Sequence, residues 1–202
     1  MKIFGNPMST CTRKVLMTLA ETGTPHEFVL VDFMKGEHKQ AAHLARQPFG
    51  QVPAMEDDGF ELYESRAICR YINDKVGGAL VPKSLTDRAR MEQWISIESA
   101  NFTGPVMKFV FHTVFKREQP ADVLAAAGTQ LDVALGVLDK QLASHPFVAG
   151  AAFTLADICF MPYFEYGMMT GAKDHLVKFP HVMAWWNKVS EMPNWRKVAL
   201  RA

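Results

Sequence analysis

The chain has 202 residues, 49% of them hydrophobic, which is enough for one large or two small domains with a substantial core. Its 22 basic and 21 acidic residues are interspersed and leave a formal net charge of +1, so neither nucleic acid nor an anionic membrane is expected as a partner. The three cysteines, Cys11, Cys69 and Cys159, are far apart and form no C-x-x-C, which argues against a disulfide framework or zinc site and fits a reducing, cytoplasmic setting. No charged leader followed by an apolar core is seen, and no uninterrupted apolar run is long enough to span a bilayer.

In chain order, Lys2 to Gly5 reads as a strand stopped by Asn6-Pro7, and from Thr10 the apolar Val15, Leu16 and Leu19 fall at helical spacing. Ser9 lies where the loop becomes the helix. A hydroxyl there either caps free backbone N–H groups or faces whatever the helix end binds. The roughly half positive charge of a helix N-terminus attracts anions and favours a thiolate over a thiol. Gly23 and Pro25 end this helix, Glu27 to Val31 reads as a second strand, and Gln40 to Arg46 as a short helix after the polar loop Lys35-Gly-Glu-His-Lys39. Gln51 to Met55 and Phe60 to Tyr63 read as two strands joined by Asp57-Asp-Gly59, a hairpin signal. A helix opening at Glu64-Ser65 and running to about Lys75 completes an α/β layer with a mixed sheet of four strands.

Beyond Gly77-Gly78 nothing alternates at strand period. The sequence predicts a first domain over 1–77, a linker over 78–85 and an all-helical domain over 86–202. Asp87 to Phe115 carries apolar residues at helical spacing with a kink or break expected at Gly104-Pro105, because proline removes a backbone bond and clashes with the preceding turn. Further helices are expected over Val123 to Leu142, Leu155 to Met169, Val182 to Ser190 and Trp195 to Leu200. Thr154-Leu-Ala-Asp157 matches a capping box with Asp in place of Glu or Gln, with Phe153 and Ile158 at the staple positions.

Four motifs, Asn6-Pro-Met-Ser-Thr-Cys-Thr-Arg13, Lys35-Gly-Glu-His-Lys39, Pro48-Phe-Gly-Gln-Val-Pro-Ala54 and Glu64-Ser-Arg-Ala-Ile68, together resemble the glutathione S-transferases, most closely the phi class. The resemblance covers nearly the whole chain. It implies a thioredoxin-like N-terminal domain followed by a helical domain, a homodimer, and glutathione as co-substrate with no other cofactor. It also implies roles in detoxification and in binding small hydrophobic electrophiles.

The implied site follows residue by residue. Ser9 is the catalytic candidate, its hydroxyl holding the glutathione sulfur as a thiolate. Ser65, at a helix start, is assigned to the γ-glutamyl carboxylate and Glu64 to the ammonium. Val52, before a proline that is cis in the family, is assigned to backbone pairing with the cysteinyl unit, and Pro53 to setting that geometry. Similarity assigns His38 and Lys39 to the glycyl carboxylate and Gln51 to further polar contacts. Met8, Phe33, Met107, Phe111, Val114 and Phe115 are the candidates for an apolar acceptor pocket. An aromatic stripe at helical spacing also reads as plain core, and Phe49 reads either as an exposed aromatic or as a plug into a partner subunit.

His43 and His38 do not sit at metal-ligand spacing, so no metal is expected. A Ser9 transferase has two alternatives. In the first, Cys11 is used as some related classes use a cysteine in this loop, for mixed disulfides, which would make the protein a thiol transferase or disulfide reductase. Residues two apart on a helix point roughly 200° from each other, so Ser9 and Cys11 should not both face one sulfur. The second alternative is a carrier of apolar ligands without turnover.

Overall fold

The computed structural model describes residues 1–200. The chain divides into two compact units, Met1–Ala79, joined by the chain from Lys197, and Leu80–Arg196. The first unit is built on four strands, β1 (Lys2–Gly5), β2 (Glu27–Leu30), β3 (Ala54–Asp57) and β4 (Phe60–Tyr63), in the order β2-β1-β3-β4. β1 and β2 are parallel while β3 runs antiparallel to both β1 and β4, so the sheet is mixed, as the sequence predicts.

Between the strands lie α1 (Thr10–Thr22), α2 (Ala41–Leu44) and α3 (Ser65–Lys75). α1 stops where Gly23 takes a left-handed φ of 64° and donates to Leu19 O. α1 and α3 pack on one another and bury Val15, Leu19, Ile68 and Ile72. A second apolar cluster gathers Phe4, Val31, Val52 and Ala54, with Arg46 laid 4.3 Å over the Phe4 ring.

Three boundaries differ from the sequence reading. The third strand runs over Ala54–Asp57 rather than Gln51 to Met55, because Pro53 has no N–H to give a ladder and β3 starts just after it. The short helix expected over Gln40 to Arg46 is split into a 3-10 turn, Glu37–Lys39, and α2. The third difference lies in the second unit. There α4 (Leu85–Ile97) and α5 (Thr103–Thr113) are joined by a π turn, Glu98–Phe102, in which Thr103 N donates to Glu98 O. The irregularity precedes Pro105 by a turn: the proline ring clashes with the carbonyl four residues before it, Asn101, and the wider turn gives way there.

The second unit continues with α6 (Ala121–Leu142), α7 (Leu155–Met168), α8 (Lys173–Leu176), α9 (Pro180–Val189) and α10 (Pro193–Val198). α8 is absent from the sequence reading, and Pro193 opens α10 rather than merely preceding it. By length and composition α6 would cross a membrane. Here its Leu131, Leu135, Leu138 and Leu142 are core, while its Asp132 pairs with His175 and Lys178 and its Asp139 with His181. Phe102, Phe160, Phe164, Trp185 and Trp186 form a connected aromatic core with ring centroids 4.9 to 6.4 Å apart. Leu80 and Val81, within the expected linker, are buried, and Leu80 O accepts from Leu155 N at 3.0 Å.

One buried carboxylate ties the unit together. Asp157 accepts from Val148 N, Thr154 N, Thr154 Oγ1 and Trp185 Nε1 at 2.9 to 3.3 Å, and Thr154 Oγ1 accepts from Ala156 N, so the capping box closes. Burial pushes the Asp157 carboxyl up, against the four donors that hold it down. Thr154→Ala is expected to lower the unfolding free energy by about 1 kcal/mol in urea titrations.

In the first unit the corresponding buried acid is Asp57, which accepts from Lys75 Nζ and from Tyr71 Oη at 2.8 Å. These bonds, that from Lys75 foremost, hold its carboxyl below the usual range. A depressed carboxyl contributes stability that is present above its unfolded pKa and is lost as pH falls through the lower folded value. Unfolding of Asp57→Asn should therefore differ from wild type at neutral pH, with the difference shrinking as pH is taken below about 4.

Candidate active site

Strand register gathers the motifs. Phe4 pairs with Ala54 and Ala54 with Tyr63, while Gly5 pairs with Leu30. The loop after β1 (6–9), the Val52-Pro53 segment before β3, the Glu64-Ser65 start of α3 and the stretch after β2 therefore leave the sheet at one end.

The β1 loop is braced by Asn6, which the sequence reading treats only as a strand stop. Its Nδ2 donates to Val31 O at 3.0 Å and its Oδ1 accepts from Met8 N at 3.0 Å, while its carbonyl accepts from Ser9 N at 2.9 Å. An Asn-Pro pair signals the turn, but its bond to Val31 spans 25 residues and has no local signature. Ser9 is half-buried, with extended backbone, and is the N-cap of α1: its Oγ accepts from Thr12 N at 3.2 Å. A hydroxyl that accepts one bond still has its proton to donate. No acidic residue stands in the first turn of α1 to cancel the field there.

Val52-Pro53 is a cis peptide. Since β3 begins only at Ala54, the Val52 backbone lies ahead of the ladder. α3 begins with the buried Ser65, and Glu64 before it makes no side-chain cap bond. Glu64 holds φ at +74°, a region unfavourable for any residue with a β-carbon, and such strain concentrates at functional sites.

His38 and Lys39 sit on the 3-10 turn. His38 is half-buried, edge-on to the Phe33 ring at 5.0 Å, and its Nδ1 is buried with no hydrogen-bond partner. Burial, and then the neighbouring Lys39 and His43, hold its imidazole below the ordinary pKa. Lys39 Nζ donates to Phe49 O at 3.0 Å, so the loop also employs it as a brace. The Gln51 side chain is exposed. Phe49 is 64% exposed, its ring 6.3 Å from that of Tyr63.

Residues 1–74 match the model of the glutathione S-transferase N-terminal domain and residues 102–193 that of the C-terminal domain. Glutathione S-transferase F10 of Arabidopsis thaliana is 36% identical over 96% of this chain and 94% of its own. The chain belongs to the glutathione S-transferase family. Its resemblance to the phi class extends to structure: glutathione transferase F7 of Populus trichocarpa superposes with a TM-score of 0.92 at 36% identity, covering 98% of this chain and 96% of that one. Glutathione S-transferase I from mais, solved with an atrazine glutathione conjugate, superposes at 0.90 with 31% identity, covering 98% and 95%. The chain is accordingly a glutathione transferase, with a thioredoxin-like first domain and a helical second.

The six acceptor candidates of the transferase fall on both units. Met8 and Phe33 are exposed in the first. In the second, Met107, Phe111 and Val114 are half-buried and Phe115 is exposed, and Phe115 touches Phe111 and Tyr166 at ring separations of 5.9 and 6.1 Å. These four are thus partly exposed rather than fully buried, and Val114 and Phe115 lie beyond the end of α5. Among the described residues no group of three His, Cys, Asp or Glu is placed to hold a metal. None of the three cysteines is in a disulfide; Cys11 is half-buried on α1, and burial pushes the Cys69 thiol up to about 11.

The loop carrying these groups depends on Gly50, whose φ is +62° and whose added β-carbon would meet His38 O at 2.8 Å. Gly36 has a similar φ, +66°, and open space around it. Gly36→Ala should cost about 1 kcal/mol in unfolding measurements and Gly50→Ala about 3.

Proposed function

We propose that the protein joins glutathione to small hydrophobic electrophiles by holding the glutathione sulfur as a thiolate at Ser9. The supporting observation is the Ser9 hydroxyl at the mouth of α1, its lone pair engaged by Thr12 N and its proton left to donate. Lowering a thiol pKa from about 8.5 by two units requires roughly 2.7 kcal/mol of preference for the anion. A hydrogen bond to the charged sulfur supplies roughly 1.5 to 3 kcal/mol, and the helix terminus roughly 0.3 to 1. No general base is then needed. The thiolate sulfur forms a bond to the electrophilic carbon, whose leaving group departs with the bonding pair, or whose ring or double bond opens onto the adjacent atom.

In this reading the peptide is bound by its polar ends. Ser65 meets the γ-glutamyl carboxylate with its hydroxyl and the first amides of α3, and Glu64 the ammonium. Val52 pairs its backbone with the cysteinyl unit, an arrangement for which the cis Pro53 and the absence of ladder bonds at Val52 are suited. His38 and Lys39 take the glycyl carboxylate and Gln51 adds a polar contact. The acceptor body is taken by apolar side chains among Met8, Phe33, Met107, Phe111, Val114 and Phe115. Glutathione is consumed as co-substrate and no resident cofactor takes part. The protein works as a cytoplasmic homodimer, with the exposed Phe49 as a contact of the first unit.

Ultraviolet difference absorbance on adding glutathione near neutral pH should show thiolate. Ser9→Ala should raise the apparent pKa of the bound thiol by about one to two units, while Cys11→Ala changes the transferase rate little. The reverse pattern would place the protein among thiol-exchange enzymes, and absence of a thiolate signal in wild type would favour a carrier.

A further inference from the structure

The segment that leads into Val52 has few backbone anchors of its own. Pro48 and Pro53 carry no N–H, and β3 has not yet begun. Two side chains supply what the backbone lacks. His43, 5% exposed on α2, brings its Nε2 to 2.7 Å from Gln51 O. Gln47, 2% exposed and one helical turn later, offers its Oε1 to Gln51 N at 3.0 Å. The turn is continuous, since Gln47 N donates to His43 O at 2.9 Å, so the two side chains leave the same face. Both polar backbone groups of Gln51 are thereby held from α2 and the turn that follows it, while its own side chain is left to solvent.

We propose that His43 and Gln47 are positioning residues for the peptide-binding loop, fixing through Gln51 the place at which Val52 presents its backbone. The proposal rests on the reading that Val52 pairs with the cysteinyl unit of glutathione. A carbonyl oxygen only accepts, so His43 Nε2 carries the proton of this bond. Loss of the clamp moves the loop relative to Ser9 and Ser65 without touching either, which weakens peptide binding more than it alters the chemistry once the peptide is held.

The test uses S-methylglutathione, whose blocked sulfur makes binding independent of thiolate formation. His43→Leu and Gln47→Met are each expected to weaken its binding and raise the KM for glutathione about tenfold, with kcat at saturating glutathione within about twofold of wild type. His43→Gln, which keeps an N–H at similar reach, should restore most of the affinity, and the two losses should be less than additive because they act on one peptide unit. Hydrogen exchange at residues 49–54 should accelerate in both truncated variants. Wild-type affinity in His43→Leu and Gln47→Met, equal loss of kcat and affinity, or no rescue by His43→Gln in protein with wild-type Tm would overturn the proposal. If His43→Leu does not fold, Gln47→Met with Gln47→Glu as its rescue decides it. Should wild type itself not bind S-methylglutathione, the glutathione reading falls instead; the clamp is then judged by exchange alone, and unchanged exchange overturns it.

Discussion

The first amides of a helix have no partner inside it, and what each helix start does with them divides this protein's labour. At α7 the ends are closed: Thr154 and Asp157 satisfy them in a buried box that also holds Val148 and Trp185. At α1 the closure is half made, with Ser9 accepting one amide and retaining its own proton. At α3 no side chain of the preceding residue intervenes. A helix-end field that would cost stability if left buried and unmet attracts anions where it is accessible. The second unit closes that field at α7, and the first does so only in part at α1 and without a side-chain cap at α3.

Keeping the first unit open has a conformational cost. Glu64 is held at positive φ despite its side chain, and Gly50 accepts a backbone that any larger residue would force against His38. Neither feature helps folding. Both sit in loops at the sheet end reached from β3 and β4, and the residues on either side of Gly50 are held by Lys39 on Phe49 and by His43 and Gln47 on Gln51. The scaffold stabilises the loops so that the receptor need not.

Much of this was legible in the chain. Asn6-Pro7 marks the loop, Ser9 its hydroxyl, Asp57-Asp-Gly59 the hairpin, and Thr154 to Asp157 the box, because each is a local pattern with a local cause. Gln51-Val-Pro-Ala looks strand-like by composition, but Pro53 interrupts it and β3 starts after that residue. Gly104-Pro105 signals a break, but its position depends on how the turn before it relaxes. Partners without a local pattern leave no trace in the sequence: Trp185 on Asp157, Lys75 on Asp57, and the grip of His43 and Gln47 on Gln51 become visible only in three dimensions. The last two are near in sequence, but a backbone group as partner has no signature there.

Thiol-modifying compounds react with a protein's own cysteines where these are exposed and ionised. Cys69 and Cys159 are each 1% exposed, and burial keeps the Cys69 thiol protonated through the physiological range, so nucleophilic sulfur at these positions is both scarce and out of reach. Only Cys11 has partial exposure among the described thiols. The dense packing between α1 and α3 therefore acts as armour for Cys69 against compounds that modify thiols.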